Sequence, residues 1–224
     1  SGDPCSMPGA VLPRLPLVVI SASATGSWSV VFAPDSFKGS IPADEVARVL
    51  AAGWGSVRAG DGLILKPMAD GGEGTLNAFE AAVPGACWMP VTVPGPAGVD
   101  IESSWLLLPP TEDAPDGTGV VELASTSGIE LLGSDRRPWT AHTRGFGRAI
   151  VAALDHGVSR LVLGIGSSAS TDGGIGMLTE LGARFTGAGG APVPDGAEGM
   201  SGVLAADLSG LRSLPEAGVV VLCD

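Results

Sequence analysis

The sequence predicts an α/β protein: a parallel-sheet region at the N-terminal end and a second region built on a mixed sheet. Three observations carry this. Twice within residues 30–85 a short apolar run gives way to a polar, glycine-containing loop and then to apolar residues at helical spacing, the rhythm of parallel strands joined by helices. From Cys87 to Leu108 two extended runs flank Pro94-Gly95-Pro96-Ala97-Gly98, which reads as antiparallel pairing around a turn. The chain of 224 residues is 45% hydrophobic with mean hydropathy +0.36, enough to bury a core and against disorder.

Residues 1–28 read as a leader or disordered segment. Pro8, Pro13 and Pro16 prevent a regular element, and a single arginine with a broken apolar stretch makes a poor signal peptide. Val30 to Ala33 is apolar throughout, as a strand buried on both faces should be. Behind Pro42, Asp44 and Glu45, residues Val46, Val49, Leu50 and Trp54 form a helical apolar stripe. Leu63 to Leu65 is the next strand, and a short helix with Leu76, Phe79 and Val83 inward follows. After an acidic, proline-rich loop over 109–119 come the strand Val120 to Leu123, a small-residue loop Ser125 to Gly128, and a helix with Phe146, Ala149, Ile150, Ala153 and Leu154 on one face. Both histidines, His142 and His156, fall in that helix; Leu161 to Leu163, a helix over 175–181, a loop over 187–202 and a buried-type strand Val219 to Leu222 complete the chain. A central-looking strand at a terminus suggests a chain cut short. The expected domains are therefore 29–85 and 86–224, the second incomplete at its C-terminal end.

The formal net charge of −12 repels nucleic acid and anionic membrane, so neither is an expected partner. No apolar stretch reaches the ~18 residues that a membrane helix needs. Cys5, Cys87 and Cys223 are too few and too scattered for a disulfide framework or zinc site, which points to a reducing, cytoplasmic location.

Four polar loops follow four strands: Asp35 to Ser40, Asp70 to Thr75, Ser125 to Gly128, and Gly164 to Gly174. In the last, Gly164, Gly166, Ser168, Ser170, Gly173 and Gly174 offer backbone N–H groups and hydroxyls ahead of a helix, an anion site by composition. Carboxylates, one lysine, hydroxyls and glycines together suit phosphoryl transfer. Lys38 is a phosphate-contacting cation in that reading. Asp70 and Glu73 either share Mg²⁺ or divide into base and metal ligand, with turn formation as the equal alternative, and Asp172 is a further metal candidate. Asp35 is either a turn starter or the group that orients or deprotonates a substrate hydroxyl. Arg144 and Arg148, one helical turn apart, either receive a substrate carboxylate or form a solvated face. There is no Gly-x-x-x-x-Gly-Lys-Ser/Thr loop and no protein-kinase signature.

Three segments in order, Ala33-Pro34-Asp35-Ser36-Phe37-Lys38-Gly39-Ser40, Met68-Ala69-Asp70-Gly71-Gly72-Glu73-Gly74-Thr75 and Gly164 to Gly174, resemble the N-terminal motifs of the bacterial-type glycerate kinase family, the type 1 family of glycerate 2-kinases. The resemblance runs from about residue 30 to the end. It implies ATP- and Mg²⁺-dependent phosphorylation of glycerate, with 2-phosphoglycerate the expected product. It also implies a flavodoxin-like domain, here incomplete, with an inserted mixed α/β domain and an active site between them. Asp35, Lys38 and Asp70 become the catalytic candidates, the 164–174 residues the nucleotide contacts, and Asp70, Glu73 and Asp172 the metal ligands. Two departures set the alternatives. Ser167 stands where the family usually has glycine, tolerated at negative φ and obstructive at positive φ, and family members continue past Asp224. A non-catalytic fragment that only binds a phosphate ligand, or a kinase for another small hydroxy acid, is the rival reading, and a homodimer is left open.

Overall fold

The computed structural model describes residues 26–37 and 40–223. Most of the expected leader, together with Cys5, Lys38, Gly39 and Asp224, lies outside the described residues. In chain order the elements are β1 (Ser29–Phe32), α1 (Ala43–Val57), β2 (Gly62–Leu65), α2 (Thr75–Ala82), β3 (Cys87–Pro94), β4 (Asp100–Leu108), β5 (Thr118–Glu122), α3 (Ala124–Ser127), α4 (Arg144–His156), β6 (Arg160–Gly164), α5 (Ile175–Glu180), β7 (Arg184–Thr186), α6 (Gly196–Met200), β8 (Ala205–Asp207) and β9 (Val219–Leu222). A 3-10 turn at Ile129–Leu132 follows α3.

The sheets match the expected α/β class. β1 and β2 pair in parallel, Val30 opposite Leu63, with α1 across them. A five-stranded mixed sheet runs β3-β4-β5-β6-β9, antiparallel through β5 and parallel from β5 to β9. Successive residues of a strand face opposite sides, and this sheet uses both. Trp105, Val121 and Leu161 meet Phe146, Ala149, Ile150 and Ala153 of α4 on one face. Leu106, Val120 and Val162 meet Leu76, Phe79 and Val83 of α2 on the other. The helix after β2 is thus packed on the mixed sheet, which sets the loop ahead of it beside the carboxyl ends of β5 and β6.

Several expectations change. β1, β2 and β9 are not buried on both faces: Val31 is 56% exposed, Leu63 to Leu65 are exposed, and Val220 and Val221 on the sheet edge are open. Two strands and one helix cannot cover two faces, and an edge strand has a neighbour on one side only. On α1 the buried residues are Val46, Ala47 and Ala51, while Val49 and Leu50 are exposed and Trp54 turns its indole N–H onto Asp61 at 2.9 Å. Ser125 to Ser127 lie in α3 rather than in a loop, because Ser125 and Thr126 hydroxyls donate back to the Glu122 carbonyl at 3.0 and 3.1 Å and close a helical turn. The stretch 187–202 contains α6. His142 precedes α4, and only His156 lies in it, one residue before the left-handed Gly157. Among the described residues no helix is long and apolar enough to cross a membrane.

Candidate functional site

The four polar loops form one continuous structure at the carboxyl ends of their strands, where ligands of open α/β sheets bind. Met68 N–H donates to the Pro34 carbonyl at 2.9 Å, joining the loops after β1 and β2; Gly166 N–H donates to the Gly71 carbonyl at 2.9 Å, joining the second to the loop after β6. That loop is in turn tied to the α3 region by Ile129 N–H on Ser167 O at 2.9 Å and Ala169 N–H on Ser127 O at 3.0 Å. The contact between the second loop and the loop after β6 is backbone against backbone. A Cβ on Gly166 would lie 2.6 Å from Gly72 Cα, and one on Gly71, whose φ is +99°, would lie 2.4 Å from the Leu222 carbonyl oxygen. Glycine is required there because the backbone of the second loop, for Gly166, and of β9, for Gly71, is that close.

Asp35 is exposed and its carboxylate accepts the Ser36 N–H at 2.6 Å. Asp70, also exposed, accepts the Gly72 N–H at 2.9 Å, a turn-forming contact. Glu73 is half-buried: Oε2 accepts the Ser167 hydroxyl across the loop contact, and Oε1 is buried without a hydrogen-bond partner. A cavity of about 390 Å³ lies between these loops, lined by Ser36, Phe37 and Ser40 of the first, Glu73 of the second, Asn77 of α2 and Glu130 of the 3-10 turn. Its described lining carries three carboxylates, Asp44, Glu73 and Glu130, and no lysine or arginine. The structure therefore brings Ser36, Phe37 and Ser40 of the first motif and Met68, Glu73 and Gly74 of the second to one cavity, whose lining does not include Asp35 or Asp70. The glycine loop stands behind Glu73 and lines none of it.

Asp172 is the largest departure from expectation. It is 1% exposed and accepts four hydrogen bonds, from Thr143 N–H at 2.9 Å, Thr143 Oγ1 at 2.8 Å, Gly174 N–H at 2.9 Å and Gly176 N–H at 3.2 Å. The anion at the start of α5 is the protein's own carboxylate. No hydrogen bond joins it to Asp70 or Glu73, and among the described residues no three acidic, His or Cys side chains are grouped to hold a metal ion. Ser168 and Ser170 are half-buried and satisfy each other, Oγ to Oγ 3.1 Å with Ser170 N–H on Ser168 Oγ at 3.1 Å. Arg144 is committed to Asp195 at 2.6 Å and Glu180 at 2.8 Å, and Arg148 to Glu180 at 3.0 Å, so this pair braces α4 against α5 and α6.

Sequence reasoning missed Glu122. It ends β5, is 5% exposed, and its Oε2 accepts the Leu76 N–H at 3.1 Å, so it caps α2 from another strand. Burial pushes its carboxyl up to about 7, with the neighbouring Glu73 charge adding to the rise and the Leu76, Thr75 and Gly74 N–H groups opposing it. A lone acid closing the apolar run Val120-Val121 is the signal that marks it. Asn77 and Glu130 leave no such signal, because only the packing of α2 and the 3-10 turn brings them to the cavity.

The model of the glycerate kinase family matches residues 30–224. The chain is 37% identical over 201 residues to the glycerate 2-kinase of Escherichia coli (strain K12), covering 87% of this chain and 50% of that protein. It is 39% identical over 198 residues to the glycerate kinase of Bacillus subtilis (strain 168), with the same coverage. The crystal structure of a Salmonella typhimurium LT2 protein assigned as glycerate kinase 2 superposes with TM-score 0.72 at 35% identity, over 89% of this chain and 52% of that one. The chain spans about half the length of the curated relatives it matches.

Proposed function

The chain belongs to the glycerate kinase family, and from that premise we propose that the whole protein transfers a phosphoryl group from ATP to glycerate, giving 2-phosphoglycerate. The observation that supports this reading best is the cavity shared by the first two motifs, walled by Glu73 and backed by the glycine loop. Its lining is acidic and glycerate is an anion, so positive charge must be supplied locally. Lys38, in the first motif, is the residue assigned to neutralise the transferring phosphoryl group. Glu73 fits a hard cation, because its buried Oε1 is an acceptor without a donor. Asp70 and Glu73 would hold Mg²⁺, a number of carboxylates suited to an ion that takes its other ligands from water and phosphates. When bound, Mg²⁺ supplies further charge neutralisation. Asp35 orients or deprotonates the attacking hydroxyl, and Gly164, Ser168 and Ser170 remain the candidates for nucleotide phosphate contacts; Gly166 is not among them, since its N–H is taken by the Gly71 carbonyl. Gly173, Gly174 and Asp172 are assigned no ligand, since the Gly174 N–H is occupied by Asp172.

The test is glycerate-dependent ADP release by the complete protein, with the product's phosphate position read by NMR. Lys38→Ala and Asp70→Ala should each lower kcat/KM at least about tenfold. Full activity in both variants would remove the site assignment; turnover with another hydroxy acid and none with glycerate would replace the substrate.

A further inference from the structure

From the side of the glycine loop, the contact with the second motif carries the side chain of Ser167. Gly164, Gly166, Gly71 and Gly72 meet backbone to backbone, and into that seam Ser167 brings a hydroxyl. Its φ is +55°, the left-handed region that side chains rarely enter, and Ser167 is the non-glycine residue found there among the described residues. The hydroxyl donates to Glu73 Oε2, and it sits so near Gly72 that a Cβ there would lie 3.1 Å from Ser167 Oγ and 3.0 Å from Asp70 Oδ1. The carbonyl of the same residue accepts the Ile129 N–H at 2.9 Å, beside Glu130 of the cavity wall. Ser167 therefore touches the loop bearing Asp70 and Glu73 on one side and the turn bearing Glu130 on the other.

We propose that Ser167 is a positioning residue: its hydroxyl latches the loop after β6 to Glu73 and holds that carboxylate with Oε2 engaged and Oε1 facing its buried, unpartnered position. The strained backbone persists because neighbours on both sides fix it, a pattern that collects at functional sites. The catalytic consequence rests on the function proposed above; the latch itself does not.

Two variants separate the hydroxyl from the backbone. Ser167→Gly relieves the left-handed conformation and removes the hydroxyl, whereas Ser167→Ala keeps the conformation and removes the hydroxyl. In the complete protein both should speed amide exchange at residues 72–75 at least about fivefold, while exchange in β5 and β6 stays unchanged. Both should lower kcat by about tenfold with KM for glycerate within about twofold, although Ser167→Gly melts no lower than wild type and Ser167→Ala melts lower. Ser167→Gly with wild-type exchange at 72–75 overturns the latch, and wild-type kcat in both variants overturns its role in positioning Glu73 for catalysis. Wild-type protein without glycerate-dependent turnover refutes the proposed function instead, and the exchange measurement then decides the latch alone.

Discussion

Two buried carboxylates do opposite things to stability. Asp172 accepts four donors and holds the start of α5 to the start of α4. Asp172→Ala leaves those donors unpaired in a buried site, and the expected loss is about 3 kcal/mol or more by urea unfolding, with Asp172→Asn costing less because it keeps one oxygen. Glu122 has a folded pKa raised from its ordinary 4.5 to about 7, so the native state binds this proton more tightly than the unfolded chain. Its contribution is greatest below about pH 4.5 and is lost as pH rises through about 7. Wild type should lose on the order of 2 kcal/mol from this group between about pH 5 and about pH 8, and Glu122→Gln should lack that part of the slope in urea melts at the two pH values. An unaltered slope would show that Glu122 ionises like an exposed acid. For Glu122 the sequence carries only the signal of a lone acid closing an apolar run, and for Asp172 it does not choose between two anions. A sequence shows that Asp172 precedes two glycines and a helix, but an external phosphate and an internal carboxylate satisfy the same N–H groups equally well. The choice falls to Asp172 because Thr143 is folded against it.

At the scale of elements, apolar runs located the strands well, since burial needs apolar residues wherever the strand lies. They did not tell how much of each strand is covered. β5 is buried throughout because α2 and α4 cover both its faces and β4 and β6 flank it. β2, equally apolar, is exposed along its length. The same asymmetry governs the helices: α4 presents Phe146, Ala149, Ile150 and Ala153 to the sheet as its spacing predicts, whereas α1 buries only small residues and Val46. Phe146→Ala should therefore lower stability by about 3–5 kcal/mol in urea unfolding. Val49→Ser on the exposed side of α1 should change it by less than about 0.5 kcal/mol in this 224-residue chain. Equal effects from the two would mean that α1 is buried as the periodicity suggests.

Across the whole molecule, a net charge of −12 and an acidic cavity lining oppose an anionic substrate. On the function proposed above, the KM for glycerate should fall by about twofold in the complete protein as monovalent salt rises from about 0.01 M to about 0.15 M, because screening weakens long-range repulsion more than contacts within the site. A KM that rises with salt would show that local cations dominate the approach. The sequence by itself determined the α/β class, the order of strands β1 to β6 and β9 though not the short pair β7 and β8, and the three motifs that place the chain in its family, because periodicity, turn chemistry and motif spacing are local properties. Tertiary structure alone decided that α2 packs on the mixed sheet, that Glu73 meets Ser167, that Asn77 and Glu130 join the cavity, and that the anion at α5 is Asp172. Those facts depend on which distant segments come within a few ångströms of each other, and no local pattern records that.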